Sequence, residues 1–301
     1  MPASNGKMYR SEFERSLGSN KLTITGEITP PASASREKMI ELARVLKGSV
    51  TAVNITDSPM GSVRLCSLAG ASIVLSEGVE PILQITCRDR NRIALSDEVL
   101  GGYALGIRNL LALRGDRRNV NGEIPVAGDL DTPGELKLIS DLRKGKDVYG
   151  NDIEPPGDLF VGTVANPFIG DIRTNVSMMQ ERIAAGAEFV QTQSVFDTDR
   201  FDAWLKEMRS SGSTLPILPG VIPLKSHKSA IYMRENIPGI IIPDRFVERL
   251  RVASDPKEEG LRIAEEIVTA LVSRGGIQGI HFMTVRWTSA IPELVKRCGL
   301  I

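Results

Sequence analysis

Polar side chains able to do chemistry follow a series of short apolar runs, each at the point where its run ends. Carboxylates and guanidinium groups that are brought together in a partly buried pocket lose hydration. They must then form ion pairs or serve in binding or catalysis. Packing requires far fewer polar run ends than this chain has, so the set predicts a catalytic or binding site. Its members are Glu27, Thr56, Asp57, Thr86, Arg88, Asp89, Arg90, Arg114, Gly115, Asp116, Asn166, Pro167, Gln191, Gln193, Lys225 and Arg286.

The tripeptide Arg114-Gly115-Asp116 has a further chemical use. The glycine lets the backbone approach a flat ring or a phosphate closely. The arginine offers a planar fork of donors for phosphate, and the aspartate offers an acceptor to a nitrogen heterocycle. Alone the tripeptide is a weak signal, but it stands at the end of the apolar run NLLAL, where it predicts a ligand site.

Several of these groups also have interpretations without chemistry. Glu27 could pair with Arg114 across the mouth, and Asp89 could pair with the arginines on either side of it. Gln193 could bind loop backbone groups. The prediction of a site therefore depends on the whole cluster rather than on one member.

The elements that must position this cluster alternate regularly along the chain. Apolar runs rich in β-branched residues indicate buried parallel strands, and amphipathic runs with Gly, Asp, Ser or Thr at their ends indicate helices. The strands are expected at Leu22–Glu27, Ala52–Thr56, Ile82–Thr86, Asn109–Leu113, Leu159–Ala165, Phe189–Val195, Pro216–Ile222 and Gly279–Val285. The helices are expected at Arg36–Leu46, Ser67–Glu77, Ala94–Leu105, Pro133–Arg143 (capped by Thr132), Arg173–Ala185, Asp199–Arg209, His227–Glu235 and Lys257–Ser273.

This alternation predicts an α/β fold, a single (β/α)8 TIM barrel over residues 1–301 with residues 1–20 as an amino-terminal extension. An open doubly wound sheet would need a glycine-rich fingerprint after the first strand, and GEITPPAS does not provide one. The loop Arg117–Asp131 should lie over the active-site face, and the loop Lys144–Asp158 on the opposite face. In this fold, chemistry sits where strands run out into loops, which is where the polar cluster falls.

Composition excludes several classes of function. The 37 basic and 37 acidic residues balance, so we expect no nucleic-acid partner and no membrane anchor. The amino terminus lacks an apolar segment of signal-peptide type, which favours a cytoplasmic protein. Cys66, Cys87 and Cys298 should be reduced and mostly buried, and with two histidines they fit no usual metal spacing. A redox reaction would then need a non-protein cofactor.

Six motifs carry a resemblance to a known family: GEITPP, NIT, LQITCRDRNR, NLLALRGD, AGAEFVQTQSVFD and LPGVIPLKS, at the first four strands and at the sixth and seventh. In this order and spacing the chain resembles methylenetetrahydrofolate reductases from about Leu22 to Arg286. It looks most similar to the enzymes of acetogenic and related anaerobic bacteria. The resemblance implies an enzyme of one-carbon metabolism in which reduced flavin, usually FAD with FMN as the alternative, passes a hydride to 5,10-methylenetetrahydrofolate.

The resemblance also implies roles for individual residues. Glu27 matches a general acid that protonates the bridged folate so that its ring opens to an iminium. Asp116 matches a catalytic aspartate that binds the pterin near the flavin, and Gln193 a glutamine that reads the pterin amide edge. No metal site is implied. The positions that match flavin-binding ones are Thr56, Gln84, Arg114, Gly115, Asp129, Leu130, Asn166 and Arg182.

Two departures from the family pattern concern the electron donor. His227 stands where NADH-dependent bacterial enzymes have a phenylalanine, and Arg286-Trp287 replaces an Asn-Arg pair. Whether NAD(P)H is the electron donor is therefore open. The other candidate is a partner iron–sulfur protein. The cluster would belong to the partner, since three scattered cysteines cannot hold one in this chain. The resemblance further suggests a homo- or hetero-oligomer.

Two other functions stay open. A pterin-binding methyltransferase barrel that acts with a corrinoid protein would use Asp116 and Gln193 equally well. A non-catalytic subunit that only docks an electron-transfer partner would not need Glu27, Asp116 and Gln193 together. Flavin content separates the reductase from the methyltransferase.

Overall fold

The computed structural model describes residues 8–116 and 125–300. Eight parallel strands close into a barrel in chain order. The strands are β1 Thr23–Ile28, β2 Ala52–Ile55, β3 Pro81–Thr86, β4 Asn109–Leu113, β5 Phe160–Ala165, β6 Phe189–Ser194, β7 Ile217–Val221 and β8 Gly279–Phe282. The predicted (β/α)8 barrel is confirmed.

Helices surround the barrel, and a short 3-10 helix, Pro59–Gly61, follows β2. The helices are α1 Glu12–Leu17, α2 Arg36–Leu46, α3 Ser67–Ser76, α4 Arg92–Ala104, α5 Thr132–Arg143, α6 Ile172–Ala184, α7 Thr198–Ser210, α8 His227–Asn236, α9 Asp244–Val252, α10 Pro256–Arg274 and α11 Ala290–Arg297. Helices α1, α9 and α11 were not predicted. The predicted cap of α5 was wrong by one residue: the Asp131 side chain, not Thr132, accepts the Gly134 N–H.

The barrel interior is layered from bottom to top, because every second residue of a strand points inward. The bottom layer is apolar and includes Phe160 and Phe189. Helix α1 closes it from below, and its Phe13 lies edge-on to Phe189 with ring centroids 5.0 Å apart. Part of the predicted amino-terminal extension is therefore core.

The layer above is polar. Thr25, Asn54, Gln191 and His281 are all buried, and they come from β1, β2, β6 and β8. Two residues further along each strand, the inward positions open into the mouth, where β1 presents Glu27 and β6 presents Gln193. The ladder between β6 and β7 shifts register between Gln191 and Ser194, an irregularity that re-aims side chains near sites.

Candidate active site

Glu27 is the next-to-last residue of β1, and its side chain is 17% exposed. Its Oε2 lies 3.8 Å from Nε2 of the buried His281. The ion pair with Arg114 that the sequence left open is not the contact found, since Arg114 is exposed and lines a neighbouring cavity. Glu27 therefore presents a partly buried carboxyl group at the barrel mouth, next to a histidine.

Asp116 follows β4 and reaches across to the loop after β2. Its Oδ2 accepts the Met60 backbone N–H at 2.7 Å. In that loop Ser58 and Met60 have φ of 43° and 56°, a left-handed backbone that is strained for residues other than glycine. Strain of this kind persists where surrounding contacts impose it, and the Asp116 carboxylate is one such contact.

Gln193 occupies the irregular segment of β6, and its Oε1 accepts the Ser194 N–H at 2.9 Å. This is the backbone contact that the sequence left as an alternative to ligand binding. The side chain is half-buried, so its amide group still borders the mouth.

A cavity of about 440 Å³ opens beside the mouth, between the ends of β3 and β4 and the start of α5. This volume lies within the range of small-molecule sites. Among the predicted flavin-binding residues, it brings together Arg114, Gly115, Asp129 and Leu130. Its lining residues are Cys87, Arg88, Arg114, Gly115, Val126, Gly128, Asp129, Leu130 and Asp131.

Gly115 is where this cavity needs a residue without a side chain. Its φ is +82°, and a Cβ there would lie 3.1 Å from Arg88 Cβ and 3.2 Å from Thr86 Cβ. The β4 loop can therefore lie flat against the end of β3 only with glycine at this position. Because Gly115 lines the cavity, its missing side chain leaves room there for a planar ligand.

Asp129 fastens the far wall of the cavity to α4. Its Oδ2 accepts the Arg92 N–H at 2.7 Å, and its Oδ1 accepts from Arg92 Nη2 at 2.7 Å. These bonds lower the pKa of Asp129 to about 2, so it stays ionised. The described part of the predicted active-site loop, residues 125–131, is held over the cavity in this way, while residues 117–124 lie outside the described residues.

Thr56 and Gln84 are both buried, at the end of β2 and within β3. The Thr56 hydroxyl has no hydrogen-bond partner among the described residues. A buried hydroxyl left unpaired costs free energy, and at the mouth end of β2 a bound ligand can supply the missing partner.

Like Thr56 and Gln84, the predicted cofactor residues Asn166 and Arg182 do not line the cavity. Asn166 follows β5, where its Oδ1 accepts the Phe168 N–H and its Nδ2 donates to Pro238 O. Arg182 on α6 donates from Nη1 to Val164 O. Burial lowers the pKa of the Arg182 guanidinium, and nearby Asp131 opposes this shift. Both residues face the β5 side of the site.

Lys225, two residues before His227, contacts the Arg286-Trp287 pair. Lys225 Nζ donates to Arg286 O at 2.7 Å and lies 6.0 Å from the centre of the Trp287 ring. Arg286 has a φ of 51°. Lys225, Arg286 and Trp287 therefore give this rim of the mouth a cationic and aromatic character. His227 is the first residue of α8.

Asp57 and Arg90, both in the predicted polar set, belong to a buried charged cluster whose other members, Glu98 and Glu135, were missed by sequence reasoning. Asp57 Oδ2 accepts from Thr86 N at 2.9 Å and from Arg90 Nη1 at 2.6 Å, and Arg90 Nε is 3.6 Å from Glu98 Oε2. Glu135 is 1% exposed, and apart from the neighbouring Cys87 thiol its carboxyl oxygens have no hydrogen-bond partner among the described residues. Burial and then Asp57 raise the pKa of Glu135 well above its usual value, so it keeps its proton.

Glu135→Gln should stabilise the protein increasingly as pH rises. The folded state holds this proton to higher pH than the unfolded chain, so the stability it contributes is present below about pH 4.5 and is lost as pH rises through the folded pKa. In urea unfolding, the variant should match the parent near pH 4.5 and exceed it by about 1–3 kcal/mol at pH 8. Glu41→Gln, on an exposed site of α2, is the matched control. A constant difference between parent and E135Q at both pH values would contradict the shift.

The cysteines are free thiols in different surroundings. Cys87 is buried, and Cys298 is partly buried, but Cys66 is exposed, against the expectation of mostly buried thiols. Burial raises the pKa of Cys87 to about 12 and that of Cys298 to about 11. Cys87 lines the cavity as an unreactive thiol.

Residues 8–116 and 125–300 offer neither a metal cluster nor a membrane span. No group of three or more His, Cys, Asp or Glu residues there is placed to hold a metal ion. None of the helices in the same ranges has the length and apolar character needed to cross a membrane.

Comparison with known proteins decides the family. Residues 12–299 match the profile of the family described as methylenetetrahydrofolate reductase. The chain belongs to the methylenetetrahydrofolate reductase family. The match includes Glu27, Asp116 and Gln193 and extends to helices α1 and α11.

Individual relatives agree with this assignment. Methylenetetrahydrofolate reductase 1 of Schizosaccharomyces pombe is 28% identical over 74% of this chain and 36% of its own length. A probable methylenetetrahydrofolate reductase (NADPH) of Caenorhabditis elegans is 24% identical over 98% of this chain and 45% of its own length. The chain thus spans less than half of these two relatives.

A solved structure shows the same fold over nearly the whole chain. It is a Clostridium thermocellum protein described as binding two copies of 5-methyl-5,6,7,8-tetrahydrofolic acid. The two share 18% sequence identity with a TM-score of 0.68, over 94% of this chain and 96% of that one. At this identity the likeness concerns the fold alone.

Proposed function

We propose that this protein is an enzyme that reduces 5,10-methylenetetrahydrofolate to 5-methyltetrahydrofolate with a hydride from bound reduced flavin. One observation carries the proposal. The partly buried Glu27 carboxyl group, 3.8 Å from His281, lies at the barrel mouth beside which a cavity of about 440 Å³ opens. A proton donor and a ligand cavity are the two parts that the reaction needs at one place. Family membership supplies the substrate class.

The residues at the cavity and at the neighbouring strand ends fit a flavin. Gly115 lets the β4 loop lie flat, Thr56 leaves a buried hydroxyl unpaired, and Arg114 offers a donor fork for phosphate. When bound, the flavin supplies the hydride. FAD is the cofactor we favour, with FMN as the alternative. The residues proposed to hold it are Thr56, Gln84, Arg114, Gly115, Asp129 and Leu130, with Asn166 and Arg182 on the β5 side.

Glu27 is the proposed general acid. The folate substrate has a closed ring between two nitrogens, and adding a proton to one of them lets that ring open toward a hydride acceptor. A carboxyl group at the inner edge of the mouth lies within reach of a substrate bound there, as proton transfer to that substrate requires.

Asp116 and Gln193 are proposed to bind the pterin, and each must first give up a backbone contact. Asp116 accepts the Met60 N–H, and Gln193 accepts the Ser194 N–H. A pterin presents ring N–H groups that can replace the Met60 donor, so substrate binding would release the strained loop at Ser58 and Met60. The Asp116 charge would also disfavour an anionic reduced flavin, which assists hydride loss.

The electron donor, the assembly and the location are proposals as well. The C. elegans relative is named as an NADPH enzyme, which supports a nicotinamide donor. The cationic and aromatic rim at Lys225, Arg286 and Trp287 differs from the NADH-dependent pattern, which keeps an iron–sulfur partner protein as the alternative. A homo- or hetero-oligomer is the assembly we propose. A cytoplasmic location fits free thiols such as Cys66, because that compartment keeps thiols reduced.

The direct test is an anaerobic titration of the purified protein reconstituted with FAD. Adding 5-methyltetrahydrofolate should bleach the flavin absorbance by running the reaction in reverse. Protein that takes up neither FAD nor FMN would remove the proposal. If such colourless protein still bound 5-methyltetrahydrofolate, the methyltransferase alternative would replace it.

Thr56→Val should change flavin affinity and stability in opposite directions. Valine keeps the shape but removes the unpaired hydroxyl, so the flavin-free protein should gain up to about 1 kcal/mol of unfolding free energy. Flavin should bind about 2- to 10-fold more weakly, because one hydrogen bond is lost. Fluorescence titration and urea unfolding measure the two effects. Ser213→Ala removes another unpaired buried hydroxyl, before β7, and should leave flavin affinity unchanged. Unaltered flavin binding by T56V would remove Thr56 from the site.

A further inference from the structure

The polar layer beneath Glu27 is a connected hydrogen-bond network. Asn54 and Gln191 form a reciprocal amide pair, with Asn54 Nδ2 donating to Gln191 Oε1 at 2.6 Å and Gln191 Nε2 donating to Asn54 Oδ1 at 3.1 Å. Gln191 Nε2 is also 3.2 Å from Thr25 Oγ1. Thr25 Oγ1 is in turn 2.9 Å from His281 Nδ1. All four residues are buried, so water does not compete for these groups.

The network favours one of the two neutral tautomers of His281. The Gln191 amide nitrogen can only donate, so the Thr25 oxygen accepts from it and the Thr25 hydroxyl hydrogen is free to donate to Nδ1. Gln191 Nε2 itself lies 3.5 Å from Nδ1, a second neighbour that can only donate. Both neighbours favour Nδ1 as the acceptor, because a hydrogen on Nδ1 would face the Gln191 N–H group. The neutral ring then carries its hydrogen on Nε2, the atom that faces Glu27.

We propose that His281 is a positioning residue for Glu27, presenting an Nε2–H to its carboxyl group. This inference rests on the proposed function. As Glu27 gives up its proton to the folate, negative charge develops on the carboxylate, and an N–H aimed at it stabilises that charge without moving a proton itself. Thr25 and Gln191 keep the ring in the required tautomer.

The geometry allows this contact to shorten. The 3.8 Å between Nε2 and Oε2 is longer than a hydrogen bond, as is common in sites without substrate, which tighten when it binds. Thr25 pairs with His281 in the β1–β8 ladder, and Glu27 is two residues further along the same face of β1. The backbone therefore fixes both groups, and a rotation of the Glu27 side chain brings its carboxyl group to the ring.

Nitrogen-15 NMR of histidine-labelled protein tests the tautomer directly. The chain has two histidines, and the signal lost in His281→Gln identifies the buried ring. We expect that ring to be protonated on Nε2 in the parent, and Thr25→Val to weaken the preference because the hydroxyl donor is gone. A ring protonated on Nδ1 in the parent would overturn the inference.

Two substitutions of His281 test the role in catalysis. Glutamine places an N–H near the Nε2 position and asparagine places one near Nδ1, so only glutamine keeps the donor toward Glu27. In single-turnover oxidation of 5-methyltetrahydrofolate, H281N should be about 10- to 100-fold slower, and H281Q less than fivefold slower. Folate KM and flavin affinity should change little in both.

The outcomes separate the inference from the proposed function. Equal loss in H281N and H281Q, or loss in KM rather than in rate, would mean that His281 only supports the fold. A parent protein that oxidises no 5-methyltetrahydrofolate would remove the proposed function and this role with it. Active parent protein with the Nδ1 tautomer would remove the inference alone.

Discussion

Glu27→Gln should slow the oxidation of 5-methyltetrahydrofolate by bound flavin about 10²- to 10⁴-fold, the usual contribution of a positioned general acid or base. Glutamine has nearly the same shape as glutamic acid but cannot supply or accept the proton. The side chain is part of the mouth rather than of the flavin cavity, so flavin affinity should stay within about twofold. Anaerobic stopped-flow absorbance measures the rate, and fluorescence titration measures the affinity.

The matched control is Glu154→Gln, the same chemical change at an exposed residue between α5 and β5. It should leave both measurements unchanged. A Glu27→Gln protein that turns over at the parent rate would take Glu27 out of the reaction. A variant that loses flavin instead would show that the carboxyl group supports the cofactor site.

The layered interior explains how a carboxyl group can work at this position. An apolar bottom layer with Phe160 and Phe189 excludes water from below, and the network of Thr25, Asn54, Gln191 and His281 satisfies its own polar groups. Glu27 is the first titratable group above this network on β1. The Glu27 carboxyl group therefore has an ordered hydrogen-bonded layer beneath it and faces the substrate side of the mouth.

Much of the fold could be predicted from the sequence because parallel strands buried on both faces are nearly continuous in apolar residues. The predicted strand ends were close; the largest error was in β8, expected to reach Val285 but ending at Phe282. Residues beyond Phe282 leave the barrel toward Arg286, whose φ is 51°, a backbone turn that apolar pattern does not reveal.

The missed helices had different causes. Helix α1 has six residues, too few for a helical period to show. Helix α9 places Phe246, Val247 and Leu250 on one face, and α11 similarly buries Ile291, Leu294 and Val295. These two patterns were readable, but they are additional to the repeating strand–helix unit.

The site was predictable in its members more than in its contacts. Strand-end position placed Arg114 and Gly115 at the cavity, because all strand ends of a barrel meet at one face. Contacts such as Asp116 with Met60 depend on loop backbone conformation, which side-chain types do not specify. Glu135 was missed because an acidic residue in the first turn of a helix is ordinary. Its burial beside Asp57, Arg90 and Cys87 depends on packing between segments that are distant in the sequence.

Helix α1 makes the opposite end of the barrel a separate source of stability. Phe13 is completely buried, with its ring centroid 5.7 Å from that of Phe160. The Ser11 side chain caps the helix by accepting the Glu14 N–H, and Glu80 Oε1 accepts the Phe13 N–H at 2.9 Å. These contacts hold one aromatic ring in the space that would otherwise open the bottom of the barrel to water.

Phe13→Ala should therefore lower the free energy of unfolding by about 3–5 kcal/mol, the usual cost of removing a buried phenylalanine ring and leaving a cavity. Urea unfolding measures the loss, and Phe13→Leu, which keeps most of the volume, should lose clearly less. Because the mouth is at the other end, either variant should bind flavin like the parent wherever it remains folded. A loss below about 1 kcal/mol for F13A would mean that α1 is only loosely attached and that Phe160 and Phe189 fill the barrel bottom by themselves.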